Sequence, residues 1–428
     1  MPPGRCTLEI HVAGAWRVAG KVTAQEPERG ISSPASFEYD LDYLDAVAGA
    51  GALDSRDARA VSCRYPVAYD VPEEAAWPPF LLDIMPAGAA RRHWEGILQA
   101  PNNASSDWSV LVRGAGNPPG NVRVREAIDA ADVAPHPGFP RSDVLKRREQ
   151  FVEYARANGA PVSGSTGAGG DAPKFLLRED VEGRWHADGA LADRRTRRCW
   201  LVKFPRTRDA SDRLILRAEA GYHAVAKKMG VRTGGDVTWE SDCLFVPRFD
   251  RVARKGAIER LGLESLYSLV GVADFGAPLR KERQVEAIAR FATDPEKELR
   301  EFLLRDVLDV ALGNTDNHAR NTSVLKWSEG RIELSPLYDF APMMLDQRGI
   351  ARVSRWEGDS DCPDWARVAD ALARTLDPAK TKRWLRGLAP AISELPVTMK
   401  DCDVPKTVIA RCEERIGLVA RALGGLRA

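Results

Sequence analysis

The stretch Gly313-Asn314-Thr315-Asp316-Asn317-His318-Ala319-Arg320-Asn321, followed by Leu337-Tyr338-Asp339-Phe340, decides how this sequence is interpreted. It carries an acid at 316, an amide at 321 and a second acid at 339. Phosphoryl-transfer sites use this set of side chains: one carboxylate orients or deprotonates the attacking hydroxyl, while the amide and the other carboxylate hold magnesium on the nucleotide. The stretch therefore predicts a site that binds ATP and Mg²⁺, with Asp316 as the base and Asn321 and Asp339 as metal ligands.

A predicted hairpin supports this geometry. Two short strands flank the turn Ser328-Glu329-Gly330, and a turn centred there places Val324 opposite Leu334. In this register Asp339 lies roughly 7 Å along the strand from the partner of Asn321, at about 3.3 Å per residue. A slip of one residue would separate the two side chains. The alternative is that the acid and amides of this loop only cap a helix or close a turn.

Residues 163–170, Ser-Gly-Ser-Thr-Gly-Ala-Gly-Gly, form a glycine-rich loop before a predicted strand. Backbone N–H groups in such a loop can cradle phosphate oxygens, which makes Ser165, Gly167 and Gly169 candidate nucleotide contacts. No Gly-Lys-Ser/Thr sequence opens a helix here, so a Walker-type loop is excluded. Ser163 and Ser165 are candidate autophosphorylation sites, and a phosphate there would repel those of ATP and inhibit the protein. The alternative is a flexible linker.

Lys203 lies in the apolar strand Trp200–Phe204 and faces away from its aromatic side chains. A lysine in this position needs an anionic partner or a route to solvent. The nucleotide phosphates are one such partner, with Glu219 of the following helix holding the lysine in place. Two alternatives are open: Lys203 lies at an exposed sheet edge, or Arg213 and Arg217 compete for Glu219.

Three further groups of residues have two interpretations each. The segment from Val246 to Arg251 follows a strand, where an interlobe hinge would present Pro247 and Phe249 to adenine; otherwise it is a strand exit held by an Arg–Asp pair. His318 either contacts the nucleotide or satisfies local hydrogen bonds. Asp306 and Asp309 are interpreted as a solvated helix face.

Composition limits the function classes. The 428 residues are 44% hydrophobic and 29% charged, with a formal net charge of +1. A large packed core is expected, and a strongly electrostatic binder of DNA or membranes is not. The 7 cysteines are scattered along the sequence, which predicts reduced thiols and not a disulfide framework. Neither a signal-peptide core nor a membrane-spanning segment is evident, so the sequence predicts a soluble cytoplasmic protein.

We expect three regions: a β-rich N-terminal subdomain at 1–135, a kinase-like N-lobe at 136–250 and a helical C-lobe at 251–428. The proline-rich run from Ala134 to Pro140 marks the first boundary. Short strands are predicted in the first region, including Leu8–Val12 and Ala60–Arg64. One helix is predicted from Ser142. The helices predicted after 250 are 264–274, 281–291, 297–312, 364–375, 380–388 and 405–423.

The order of these motifs closely resembles the HipA-type kinases, the serine/threonine kinase toxins of bacterial toxin–antitoxin pairs. The segment at 313–321 is the most specific match. The other matching segments are Ser36-Phe37-Glu38-Tyr39-Asp40, Leu82-Asp83-Ile84-Met85-Pro86, Pro247-Arg248-Phe249-Asp250-Arg251 and Leu334-Ser335-Pro336-Leu337-Tyr338-Asp339-Phe340.

The resemblance implies an α+β, two-lobed protein-kinase-like fold with an all-helical C-lobe, and it implies ATP and Mg²⁺ as cofactors. It further implies growth arrest and persistence through phosphorylation of a translation component, such as an aminoacyl-tRNA synthetase. The implied partner is a small DNA-binding antitoxin, through which any contact with DNA is indirect. The implied site roles are Asp316 as base, Asn321 and Asp339 as metal ligands, Lys203 on phosphate, Pro247 to Phe249 at adenine, and Ser163 or Ser165 as the autophosphorylated serine.

The sequence also departs from the family pattern. The glycine-rich loop is longer than the familiar form, and Pro247 stands where an acid is usual, which removes an N–H donor. These differences indicate a divergent branch. Two other functions stay open: a kinase of a small molecule, and a catalytically silent regulatory partner of a DNA-binding antitoxin.

Overall fold

The structure is a computed structural model that describes residues 3–129, 136–158, 161–162, 173–207, 209–254, 256–360 and 362–427. The predicted glycine-rich loop falls outside these ranges. The proposed roles of Ser163, Ser165, Gly167 and Gly169 therefore lie outside the described residues. Within the described part of the chain, no helix combines the length and apolar character that a membrane crossing requires.

The first part of the chain, which we call the N-terminal subdomain, is a sheet covered by short helices. Its strands pair in the order β4-β3-β2-β1-β5, and Asp40 caps the first helix by accepting hydrogen bonds from the next turn. The strands are β1 (Gly4–Val12), β2 (Ala15–Ala24), β3 (Ala35–Tyr39), β4 (Glu73–Glu74) and β5 (Val122–Val124). The helices are α1 (Leu41–Gly49), α2 (Leu81–Ile84), α3 (Gly88–Leu98), α4 (Asp107–Gly114) and α5 (Arg125–Asp129).

The central part is a second sheet with a long helix. The sheet runs β10-β11-β9-β7-β6, with β8 paired to β7. The strands are β6 (Pro161–Val162), β7 (Lys174–Asp180), β8 (Trp185–Ala187), β9 (Thr196–Lys203), β10 (Thr238–Glu240) and β11 (Cys243–Pro247). The helices are α6 (Arg141–Leu145), α7 (Glu149–Ala157) and α8 (Ala210–Lys228).

The last part is mostly helical. Its strands are β12 (Arg251–Arg254), β13 (Ala257–Arg260), β14 (Gly262–Ser265), β15 (Ser323–Lys326) and β16 (Ile332–Leu334). Its helices are α9 (Leu266–Val270), α10 (Lys281–Phe291), α11 (Pro295–Leu312), α12 (Trp365–Ala371), α13 (Pro378–Ser393), α14 (Leu395–Asp401) and α15 (Lys406–Gly424).

Helix α8 joins the central and helical parts. Its buried stripe includes Ala218, Tyr222 and Val225, spaced to share one helix face, and these residues pack in the core of the helical part. The Tyr222 hydroxyl donates to the carbonyl oxygen of Leu312 at 2.8 Å. Because α8 follows β9 directly, its position ties the central sheet to the end of α11, where the predicted catalytic loop begins.

The hairpin predicted from sequence is present in the expected register. Val324 pairs with Leu334, and β15 also pairs with β14 on its other side. The C-terminal part is thus not built of helices alone, since it includes this three-stranded sheet at the site. Strand β14 was not predicted, because a strand of 4 residues has too few alternating positions to be recognised.

Two predicted elements are wrong in detail. Ala60–Arg64 is not a strand: the Tyr65 N–H donates to the Ser62 carbonyl at 3.2 Å, and the Cys63 N–H donates to the Glu264 carboxylate at 2.8 Å, which holds a turn. The helix predicted from Ser142 is two helices, α6 and α7. Between them Arg147 has a φ of 48°, a left-handed conformation that a continuous helix excludes.

Candidate active site

Four charged side chains meet between the central sheet and the helical part. Lys203 donates to the carboxylates of both Glu219 and Asp339. Lys174 donates to the same Asp339 carboxylate at 3.1 Å. We call Lys174, Lys203, Glu219 and Asp339 the ion cluster; its two positive and two negative charges balance. The predicted contact between Lys203 and Glu219 is present, and Arg213 instead faces Asp242.

Lys174 is a site residue that the sequence analysis missed. It is the first residue of β7 and pairs directly with Lys203 across the β7–β9 ladder. Two like charges opposite each other destabilise a sheet unless an anion lies between them, and Asp339 supplies that anion. The role of Lys174 becomes visible only when β7 is paired with β9, and this pairing was not predicted from the sequence.

Burial and charge act against each other on the pKa values of the ion cluster. Burial lowers the pKa of the Lys203 ammonium, but the carboxylates of Asp339 and Glu219 outweigh it and leave this pKa above its usual range. Burial raises the pKa of Asp339, and Lys174 and Lys203 more than reverse that effect, so Asp339 is a carboxylate. Burial raises the pKa of Glu219, against the opposing charge of Lys203.

The catalytic loop after α11 brings the predicted base and amide together. The side-chain amide of Asn321 donates to the backbone carbonyl of Asp316 at 2.8 Å. The Asn321 Oδ1 atom is buried and has no hydrogen-bond partner among the described residues. His318 lies with its Nε2 atom 3.5 Å from Asp316 Oδ1. Burial and the nearby Arg320 lower the pKa of His318 to about 4, so its imidazole is neutral.

Left-handed backbone conformations occur at both ends of this site. Asp339 has a φ of 51°, a conformation that costs roughly 1–3 kcal/mol for residues with a Cβ and that clusters at functional sites. Gly313 ends α11 with a φ of 68°, and a Cβ there would lie 2.3 Å from Met344 Sδ. The carbonyl of Gly313 also accepts a hydrogen bond from the Met344 N–H at 3.0 Å. The start of the catalytic loop therefore contacts the segment that follows Asp339.

The ion cluster separates two chambers. The hinge chamber spans about 1070 Å³, part of which is open to solvent, and its apolar walls include Leu176, Leu201, Val246 and Leu263, with Phe249 and Tyr338 beside them. Phe249 and Tyr338 have ring centroids 5.8 Å apart.

The second chamber, which we call the α8 chamber, encloses about 600 Å³ beside α8 and the residues after Asp339. Asp316 lines this chamber and Asn321 lines the hinge chamber, while Lys174, Lys203 and Asp339 line both. His318 lies behind Asp316, outside the linings of both chambers. The direct contact of His318 with a nucleotide stays a prediction; in the structure His318 lies beside Asp316.

The segment after β11 combines the two interpretations given for it. It lines the hinge chamber through Pro247, Arg248 and Phe249. It is also held by the expected Arg–Asp pair, because Arg248 donates to Asp250 at 2.6 Å and to Asp188 at 2.5 Å. The Arg248 N–H is already bonded to the carbonyl of Cys199 at 3.0 Å.

Residues 166–394 match the family model described as the HipA-like C-terminal domain. This range spans more than half of the 428-residue chain and includes the whole ion cluster and catalytic loop. The chain belongs to this family. The family predicted from the motifs is thereby confirmed. No curated protein sequence matches the chain significantly.

Among solved structures, HipA of Shewanella oneidensis MR-1, in a complex with HipB and operator DNA, is similar over 97% of each chain. The TM-score is 0.64 and the sequence identity is 14%. This likeness confirms the predicted α+β, two-lobed kinase-like fold and shows the fold alone. The Helicobacter pylori proinflammatory kinase CtkA matches 62% of this chain and 95% of its own at 13% identity, with a TM-score of 0.34, too low to support an argument.

The HipA-like site has the side chains that a magnesium-bound nucleotide requires. Among the described residues, no group of three His, Cys, Asp or Glu side chains forms a metal site. Magnesium in kinases needs only one or two protein ligands, because phosphate and water oxygens complete its shell. Asn321 Oδ1 is a buried acceptor without a hydrogen-bond partner in the described part of the chain, and Asp339 is ionised, so these two residues fit a cation. Lys174 and Lys203 would supply positive charge to bound phosphates.

Proposed function

We propose that this protein is an ATP- and Mg²⁺-dependent serine/threonine protein kinase that acts as the toxin of a toxin–antitoxin pair. One observation carries the proposal: Lys203 and Asp339 line both chambers, while Asp316 lines the α8 chamber and Asn321 lines the hinge chamber. These are the four side-chain types that phosphoryl transfer requires at one point. A protein that catalyses no reaction has no physical need for all four side chains.

The hinge chamber suits the nucleotide. Its apolar walls and the rings of Phe249 and Tyr338 suit a flat adenine, with the phosphates directed toward Lys174 and Lys203. Pro247 has no N–H and the Arg248 N–H is already bonded, so adenine recognition by this strand depends on carbonyl oxygens and on Phe249. Asn321 and Asp339 would hold magnesium, which neutralises charge on the phosphates during transfer.

The α8 chamber suits the acceptor hydroxyl, because Asp316 lines that chamber. As the hydroxyl oxygen bonds to the γ-phosphorus and the bond to the leaving oxygen of ADP breaks, Asp316 receives the hydroxyl proton. The neutral His318, 3.5 Å away, adds no positive charge that would hold Asp316 back from accepting a proton. Lys203 and Lys174 stabilise negative charge on the transferred group from the sheet side.

The toxin assignment rests on the family and on the fold. HipA of Shewanella oneidensis occurs with HipB and operator DNA, and we propose a comparable small DNA-binding antitoxin for this chain. We further propose that the phosphorylated protein is a translation component, such as an aminoacyl-tRNA synthetase. Inhibitory autophosphorylation at Ser163 or Ser165 belongs to the same proposal.

The test uses purified full-length protein, γ-labelled ATP with Mg²⁺ and a bacterial lysate. We expect label on a protein band, with Asp316→Asn lowering incorporation by roughly 10²–10⁴-fold, the usual contribution of a general base. Asp309→Asn is the matched control, because Asp309 is an acid of the preceding helix outside both chambers. Label on metabolites alone would indicate a small-molecule kinase. Growth arrest that survives Asp316→Asn without any labelling would indicate a silent binding protein.

A further inference from the structure

The N-terminal subdomain reaches the catalytic loop through Asp83. Building on the proposed function, we propose that Asp83 is a positioning residue. Its ion pair with Arg320, the residue before Asn321, holds Asn321 in place for magnesium. The N-terminal subdomain would then be a working part of the site. Its residues Leu82, Asp83, Ala87 and Pro119 also line the hinge chamber.

Arg320 is fixed from several sides. Its guanidinium donates to the backbone carbonyl of Leu82 at 2.5 Å and to the Asp83 carboxylate at 3.3 Å. The guanidinium also lies 4.7 Å from the ring centroid of Phe275. The Arg320 backbone carbonyl accepts a hydrogen bond from the Tyr338 hydroxyl at 2.6 Å. Side chain and backbone of the residue preceding Asn321 are thus both constrained.

Asp83 holds the opposite side of the same loop as well. Its other carboxylate oxygen accepts the Ser265 N–H at 2.8 Å. The next residue, Leu266, donates its N–H to the carbonyls of Ala319 and Thr322, at 3.1 and 3.0 Å. The loop from 319 to 322 is therefore bonded to the end of β14, and Asp83 bonds to both. A single carboxylate fixes the distance between these two elements.

Burial makes this contact strong. The Asp83 and Arg320 side chains are 12% and 13% exposed. Burial raises the pKa of Asp83, and Arg320 acts in the opposite direction. Breaking a buried charge pair leaves an uncompensated charge, which reorganises its surroundings. The nearest surroundings here are Arg320 and the next residue, Asn321, whose Oδ1 has no hydrogen-bond partner among the residues that the structure describes.

The chain offers a matched control. Glu9 and Arg123 form a salt bridge of 2.7 Å inside the N-terminal subdomain, with side chains 12% and 17% exposed. Neither residue is among the described residues that line the two chambers. Glu9→Gln therefore removes a carboxylate of comparable burial from the same subdomain. A difference between Asp83→Asn and Glu9→Gln is then due to where the broken ion pair lies, because both variants lose one buried ion pair.

Two measurements test the proposal. In the protein without ligands, hydrogen exchange is measured on the peptide covering 319–323, and Asp83→Asn should speed exchange there by at least about 10-fold, while Glu9→Gln leaves it unchanged. In phosphotransfer at saturating ATP, Asp83→Asn should raise the Mg²⁺ concentration that gives the half-maximal rate by at least about 5-fold. Asp83→Glu keeps the carboxylate and should show a smaller increase. If Asp83→Asn does not fold, Arg320→Lys serves in its place, because it keeps the charge and loses the forked contact.

The outcomes separate the two proposals. Equal exchange at 319–323 and equal Mg²⁺ dependence in Asp83→Asn and Glu9→Gln would overturn the positioning role while leaving the kinase intact. A wild-type protein without phosphotransfer would defeat the proposed function, and the exchange measurement would still decide whether Asp83 orders the loop.

Discussion

Replacing Lys203 with Met tests the charge balance of the ion cluster. The four side chains are closely buried, with exposures of 5% for Lys203, Glu219 and Lys174 and 18% for Asp339. Lys203→Met leaves two carboxylates facing one ammonium. Removing one partner of a buried ion pair costs about 3–5 kcal/mol of unfolding free energy. We expect a loss in that range, measured by urea denaturation followed through tryptophan fluorescence.

A second substitution shows whether charge is the cause. Adding Glu219→Gln to Lys203→Met restores one positive and one negative charge in nearly the same volume. We expect the double variant to regain about 2–3 kcal/mol, the coupling typical of groups in one network. Phosphotransfer should not return in the double variant, because the phosphate-binding ammonium is still missing. Its rate should stay at least about 100-fold below wild type, the usual effect of losing a positioned electrostatic donor.

The pH dependence follows from Glu219. The pKa of Glu219 is raised in the folded protein by burial, and losing Lys203 removes an opposing influence. An acid whose folded pKa exceeds its unfolded value binds its proton more tightly when folded, so stability is present at low pH and is lost as the pH rises. The deficit of Lys203→Met should therefore be larger at pH 8 than at pH 5. A variant as stable as wild type, or a double variant no better than the single one, would refute this reasoning.

Two further predictions concern α11 and the loop that follows it. Gly313→Ala should destabilise the protein by about 1–2 kcal/mol through its φ of 68°, and further through the clash with Met344. Gly349→Ala, with a φ of 69° and open space around it, should show the backbone cost alone, so equal melting temperatures would argue against the Met344 contact. Burial raises the pKa of Asp309 to about 7. Ionisation of this carboxyl should therefore lower the free energy of unfolding as the pH rises from 4 to 7. Asp309→Asn, which can still accept the hydrogen bond from Asn314, should flatten that decline by on the order of 2 kcal/mol, given 1.4 kcal/mol per pKa unit and partial exposure. An unchanged slope of stability against pH would show that Asp309 titrates normally.

The hairpin and the family could be predicted because their signals are local. The pairing of Val324 with Leu334 follows from turn residues and alternation within a few positions, and the motif at 313–321 is contiguous. The contact of Lys203 with Glu219 was also within reach, because a lysine on an apolar strand requires an anion. The roles assigned to these residues stay predictions until phosphotransfer is measured.

The acids of α11 were misjudged because a helix pattern alone does not show what packs against it. Asp306 is not on a solvated face: its side chain is buried, 2.7 Å from Lys281 Nζ and 2.6 Å from the Trp356 indole nitrogen. Both partners come from other elements of the helical part, at positions that no local pattern connects with α11. Lys174 was missed for the same reason, since its meaning depends on the strand opposite.

The same limit explains why no chemical role could be assigned to the N-terminal subdomain from the sequence. Asp83 and Arg320 are 237 positions apart. Nothing in the sequence around either residue indicates that the two are in contact. Yet the contact places a carboxylate of the first subdomain against the side chain of Arg320, the residue that precedes the proposed magnesium ligand Asn321. If Asp83 orders that loop, a partner that binds the N-terminal subdomain could change phosphotransfer without entering either chamber. Protein–protein contacts far from the nucleotide would then regulate the kinase through the geometry of Asn321.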